Sequence, residues 1–112
     1  MSVRTGIVFR PGFRPDTLQE TAAAAERAGV AELWLWEDCF LQGGIAQAAV
    51  ALVSSETLTV GLGVLPAPLR NVVTTAMEIA TLEAMFPGRY GSESVTECRT
   101  GCGRQAPPWR HP

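Results

Sequence analysis

With 112 residues and a hydrophobic content of 46%, the chain is long enough for one small domain with an ordinary core. A formal net charge of -2 leaves no basic stripe, which argues against nucleic acid or an anionic membrane surface as the main partner. The N-terminus has no basic region followed by an apolar run, and no stretch approaches the roughly 18 apolar residues of a membrane span, so a soluble cytoplasmic protein is the expectation. All 9 basic residues are Arg, a bias that fits GC-rich coding better than any binding chemistry. Cys39, Cys98 and Cys102 form an odd set that defines no disulfide framework and read as reduced thiols.

Gly6 to Phe9 is a short apolar run closed by Arg10-Pro11-Gly12, the pattern of a buried parallel strand. Asp16 then stands where an N-cap belongs, with Gln19 as capping-box partner, and the Ala-rich stretch to Ala28 is a helix stopped by Gly29. Ala31 to Trp36 reads as a second strand ending in Glu37-Asp38-Cys39 and a loop from Phe40 to Gly44. Within it, Trp34 and Trp36 alternate and read as core or helix-facing packing. Ile45 to Val53 is a helix of small residues, and Leu58 to Leu65 a third strand terminated by Pro66-Ala67-Pro68. Asn71 is the expected N-cap of a third helix reaching about Met85, with Val72, Ala76, Ile79, Ala80 and Leu82 at helical spacing.

The order β-α-β-α-β-α with short loops implies a parallel sheet with right-handed crossovers. Three parallel strands leave two open edges, so the pattern asks for more chain. A (β/α)8 barrel cut after its third unit and a doubly wound sheet both fit. The turn Arg10-Pro11-Gly12-Phe13-Arg14-Pro15 lacks the G-x-G-x-x-G of a nucleotide-binding unit, which favours the barrel. At Arg89 the pattern breaks. Tyr90 to Pro112 holds no Leu, Ile, Phe or Met and no periodicity, so residues 1–89 are expected to be the start of a larger barrel and 90–112 an unstructured, non-native tail.

Residues 3–89 resemble the luciferase-like flavin-dependent oxidoreductases, bacterial (β/α)8 barrels that include flavin monooxygenases and deazaflavin-dependent dehydrogenases and reductases. The likeness is carried by Ala28-Gly29, by Leu33-Trp34-Leu35-Trp36-Glu37-Asp38-Cys39-Phe40, and by Val60-Gly61-Leu62-Gly63-Val64. It continues through Arg70-Asn71, Ala76, Ala80-Thr81-Leu82-Glu83 and Phe86-Pro87-Gly88-Arg89, the last being the turn that leads into strand four in this family. Cys39 stands where many members carry His after the Asp, and Asn71 where many carry His after the Arg. A frame slip at Tyr90 would explain the break. With allowed synonymous codons, 90–112 re-reads as R-I-G-I-G-H-G-V-P-D-W-M-R-Q-A-G-A-A-V-A-S-P, in which Ser92 and Ser94 become Ile and Cys98 and Cys102 become Val and Met. That string resembles the family's fourth strand and following helix start.

Asp38 ends the second strand, where barrel enzymes place active-site groups, although an Asp there also caps loops. The resemblance makes Asp38 the catalytic candidate, with Glu37 beside it to orient substrate or shuttle a proton. It also implies that Cys39, Val64, Leu65 and Pro66 lie against a flavin (FMN) or deazaflavin ring. Val64 to Pro66 is where the family often carries a bulge with a non-proline cis peptide. Cys39 reads first as a small buried thiol and only second as a ring contact, and Arg70 as a salt-bridge partner, a group near substrate or an ordinary surface Arg at a helix start. Cys98-x3-Cys102 with His111 is too loose for zinc, and no metal is expected.

The resemblance thus implies redox chemistry on a small organic substrate at a barrel mouth, either by monooxygenation with O2 or by hydride transfer. A flavin reductase is a candidate partner, and the full-length parent is expected to be a homodimer. The competing expectation is a truncated, catalytically inactive product that binds no cofactor. A third is a small doubly wound binding module complete in itself.

Overall fold

The computed structural model describes residues 3–38 and 40–95, with backbone only for 92–95. Four strands, β1 (Gly6–Val8), β2 (Glu32–Leu35), β3 (Thr59–Pro66) and β4 (Tyr90–Val95), alternate with helices α1 (Leu18–Arg27), α2 (Gly44–Val53) and α3 (Val72–Met85). The strands pair in parallel in the order β1-β2-β3-β4. This is the β/α progression that opens a (β/α)8 barrel.

The helices cover one face of the sheet. Leu33 and Leu35 of β2 and Val60 and Leu62 of β3 are buried in a cluster with Leu18 and Ala22 of α1, Ala48, Ala51 and Leu52 of α2 and Leu82 of α3. Alternation along β2 puts Glu32 and Trp34 on the opposite face, the one that lines the interior in a (β/α)8 barrel. Trp34 is therefore neither helix-facing nor in the buried cluster, the two places that the sequence suggests. Its indole Nε1 donates to Glu32 Oε2 at 2.9 Å, and its ring lies over Gly61, the residue paired with it in register on β3. A Cβ at Gly61 would run into that ring, which is why glycine stands there.

α1 begins later than the capping pattern suggests. Pro15–Thr17 forms one turn of 3-10 helix, and Thr17, not Asp16, precedes α1. The Asp16 carboxylate pairs instead with the Arg14 guanidinium, Arg14 Nε donating to Oδ1 at 3.2 Å. The nearby cation outcompetes the helix N–H groups. Gly29 ends α1 at φ 79, a backbone region open to glycine at little cost. Asn71 caps α3, its Oδ1 accepting from Val73 N at 2.9 Å and Thr74 N at 3.2 Å. Of the spaced apolar residues on α3, only Leu82 is buried and Ile79 is partly covered, while Val72, Ala76 and Ala80 are exposed. Apolar side chains surround α3 almost completely, so periodicity alone does not select its inward face.

β4 corrects the expectation of an unstructured stretch from Tyr90, for Tyr90–Val95. Tyr90, Gly91 and Ser92 pair with Val60, Gly61 and Leu62, and after a register shift Ser94 and Val95 pair with Leu65 and Pro66. The open edge of β3 offers backbone donors and acceptors that any following segment can pair with, whatever its side chains. The turn through Gly88 returns the chain to that edge, where Val60 N donates to Arg89 O at 2.8 Å. Residues 96–112, including Cys98, Cys102 and His111, lie outside the described residues.

Candidate functional site

In a parallel sheet the C-terminal strand ends share one rim, and the βα loops above them form the mouth. Here the rim is built by the loop 36–43 after β2 and the segment 66–71 after β3. Glu37 and Arg70 join the two. Glu37 is almost buried, with 10% of its side chain exposed, and Arg70 nearly so at 19%. Arg70 Nε donates to Glu37 Oε1 at 2.9 Å, Arg70 Nη2 donates to Glu37 Oε2, and Arg70 Nη1 donates to Glu78 Oε2 at 3.2 Å. Glu37 Oε2 also accepts from Gly44 N, the first amide of α2, at 2.7 Å. A carboxylate at a helix N-terminus meets unpaired N–H groups and the positive end of the dipole. The Glu37 hydrogen bond, helped by the charges of Glu37 and Glu78, holds the Arg70 guanidinium above its usual pKa despite partial burial.

This network defines the role of Glu37. Its oxygens are engaged by a guanidinium and a helix amide, so it anchors the loop and is not the proton shuttle that the sequence suggests beside Asp38. Arg70 takes the salt-bridge alternative. A cavity of about 320 Å³ opens between the two loops, lined by Glu37, Asp38, Phe40, Leu41, Leu69 and Arg70 among others. Asp38 is exposed on its wall. Phe40 is 71% exposed and takes a left-handed φ of 66, uncommon for an aromatic residue and held only where surrounding structure imposes it. Gln42 Nε2 donates to Phe13 O at 3.1 Å and ties the loop to the segment that follows β1.

The other predicted site residues separate. β3 and β4 shift register between Leu62 and Leu65, the irregularity expected in this region. Val64 is 36% exposed there, and its carbonyl accepts from Glu37 N at 3.0 Å, so it sits beside the Asp38 loop. Leu65 is 1% exposed and belongs to the core, and Pro66 is buried as well. Leu65 also lines a second, mainly apolar cavity of about 230 Å³ against the first turns of α3. Among the described residues every peptide bond is trans. Cys39 lies outside the described residues. The structure thus brings Asp38 and Val64 to one rim and turns Leu65 and Pro66 into packing.

The anchoring pair Glu37–Arg70 is the part that sequence reasoning did not assign. A Glu at a strand end followed by a Gly-initiated helix without its own side-chain cap is the available signal, because that helix needs an outside acceptor. Among the described residues no group of three His, Cys, Asp or Glu side chains is placed to hold a metal. Nor is any described helix long and apolar enough to cross a membrane.

The luciferase-like monooxygenase family model matches residues 2–92. The chain belongs to that family. Among solved structures, it is similar to the coenzyme F420-dependent tetrahydromethanopterin reductase of Methanopyrus kandleri, at 23% identity and a TM-score of 0.73 over 84% of this chain and 27% of that one. It is similar too to the oxygenating constituent of 3,6-diketocamphane monooxygenase of Pseudomonas putida, solved with FMN, at 17% identity and a TM-score of 0.80 over 92% of this chain and 32% of that one. A third, apo-MsnO8, matches at 20% identity and a TM-score of 0.71 over 83% of this chain and 32% of that one. No curated protein matches in sequence. The luciferase-like chain therefore spans about a third or less of the solved structures it resembles, between 27% and 32%.

Proposed function

We propose that this chain forms the first part of a flavin- or deazaflavin-dependent oxidoreductase whose cofactor ring rests at the rim made by the loops after β2 and β3. The observation that carries the reading is the coincidence of Asp38 and the half-exposed bulge residue Val64 at one rim, in a luciferase-like chain. The residues present suit one face of a flat ring: Val64 offers an apolar surface and Asp38 a polar edge, with Phe40 and Leu69 at the border of the cavity. They do not offer a phosphate cradle from Arg70, whose guanidinium is held by Glu37 and Glu78. A cofactor phosphate would be bound elsewhere, as in barrels that use loops after later strands.

The ring supplies the redox step, by hydride transfer or by reaction with oxygen. The chain's own residues position it. Asp38 would hold or move a proton at the substrate or ring edge, while Glu37 and Arg70 fix the loop that carries it. The substrate class is a small organic molecule. The F420-dependent and FMN-bound neighbours support both cofactor types equally, and a flavin reductase and a homodimeric assembly belong to the same proposal.

A second reading is favoured by one observation. The sheet face away from the helices is open, with Val8 52% exposed. On that reading the 112-residue polypeptide alone retains no cofactor, because half of the wall that would enclose a ring is absent from the described strands. Absorbance decides between them. The purified chain is mixed with FMN or with an F420-type deazaflavin and passed over a desalting column. A visible band that travels with the protein and is lost in Asp38→Asn supports the first reading, and a colourless folded protein supports the second.

A further inference from the structure

At the foot of the sheet, opposite the mouth, the turn 54–58 between α2 and β3 carries backbone groups that neither element pairs. Its N–H groups are held from one side. Glu26, in the last turn of α1, accepts from Thr57 N at 2.5 Å, from Glu56 N at 2.9 Å, from Leu58 N at 3.1 Å and from the Thr57 hydroxyl at 2.8 Å. Three successive amides converging on one carboxylate form an anion nest. Those contacts lower the Glu26 pKa from 4.5 to about 2.

Two carbonyls of the same turn, and one in the last turn of α2, are held from the other side. Arg89, at the entry to β4, donates from Nε to Leu58 O at 3.2 Å, and the two N–H bonds of its Nη2 are shared among Ser55 Oγ at 2.8 Å, Ser55 O and Leu58 O at 3.1 Å and Leu52 O at 3.3 Å. Its guanidinium lies 5.7 Å from the centre of the Phe86 ring, which fixes its orientation. At Leu52 O it thereby adds to the C-terminal capping of α2, beside Ser54 Oγ and Ser55 Oγ, which donate to Val50 O at 2.7 Å and Ala51 O at 2.8 Å. Among the described residues no ion pair joins Glu26 to Arg89.

We propose that Glu26 and Arg89 act as one lock on this turn and make the described β/α units a single cooperative body. One clamp pulls on the N–H side and the other on the C=O side of the same five residues. With both present the turn has one position. With either removed, the turn pivots on the remaining clamp, and that clamp loses much of its geometry. The two side chains are therefore energetically coupled through backbone that each of them touches. The lock unites α1, the α2–β3 connection and β4, elements that are distant in sequence. It stands on foot geometry alone and is independent of any cofactor at the mouth.

A double-mutant cycle on the 112-residue chain tests it. Glu26→Ala, Arg89→Ala and the double variant are unfolded in urea beside the wild type. The expected result is that the double variant's unfolding constant falls short of the product of the two single effects by roughly ten-fold. A shortfall under about three-fold means independent contacts and overturns the proposal. Should an alanine variant fail to fold, the cycle is run with Glu26→Gln and Arg89→Lys, which keep the size of each side chain, under the same criterion. Hydrogen exchange of the wild type gives a second readout. The amides of Glu56, Thr57 and Leu58 are expected to open only with those of Leu33 and Val60 in the core, and separate, faster opening overturns the lock. A wild-type chain without a cooperative transition overturns it as well.

Discussion

The foot and the mouth of this sheet are built from the same kinds of charged residue and put them to different use. At the foot, Glu26 and Arg89 contact backbone, and between them they bond the amides of Glu56, Thr57 and Leu58 and the carbonyls of Ser55 and Leu58 in the turn. At the mouth, Glu37 and Arg70 mainly contact each other, and beside them Asp38, Phe40 and Leu41 remain exposed around a cavity. Charge that satisfies backbone fixes a scaffold, whereas charge paired to charge holds a loop in place beside a cavity. This division matches the general rule that barrels keep stability at one end and chemistry at the other.

The sharpest way to break the comparison is Arg89→Ala, which removes hydrogen bonds from three carbonyls and is expected to cost about 3 kcal/mol in a urea unfolding experiment. A loss no larger than that of a surface substitution would erase the distinction between foot and mouth. Next is Gly61→Ala, between the two ends. The new Cβ displaces the Trp34 ring, with an expected cost of about 2 kcal/mol and a change in tryptophan fluorescence. Unchanged emission at unchanged stability would mean that the ring does not lie over Gly61.

At the mouth, Glu37→Gln keeps an acceptor for Gly44 N and removes the ion pair with Arg70. The expected loss is about 2 kcal/mol, below that of a buried charge left alone because Glu78 still pairs with Arg70, with faster hydrogen exchange in the loop 40–43, and intact protection there would show that the pair does not anchor it. Acid sharpens the contrast further. Because folding lowers the Glu26 pKa from 4.5 to about 2, its contribution is complete above pH 4.5 and is lost as the pH falls through about 2. Wild-type stability should therefore decline across that window more steeply than Glu26→Gln stability, and parallel curves would contradict the nest. The smallest effect on folding belongs to Asp38→Asn, expected within about 0.5 kcal/mol of wild type while ring binding is lost.

Legibility in the sequence follows distance along the chain. Gly29 and Asn71 were readable because a stop and a cap act on the next few residues. Asp16 misled for the same reason, since the competing Arg14 is only two residues away and no cap pattern weighs it. Glu26 carried a faint sign: an acid in the last turn of a helix opposes the dipole and so implies a partner outside the helix. That partner is 31 residues distant, as Glu37 is 33 from Arg70 and Ser55 is 34 from Arg89. β4 was hidden because its pairing uses backbone, and its Gly and Ser residues carry no apolar pattern.

By itself, the sequence determined the order of strands and helices as far as α3, the parallel sheet and the family, since breakers, periodicity and local motifs act within a few residues of themselves. Only the tertiary structure decided which of the two mouth acids is an anchor, that Leu65 and Pro66 are packing, and that the foot is clamped from both sides. Those outcomes depend on which groups meet across roughly thirty residues of intervening chain, and the geometry of the folded sheet alone brings them together.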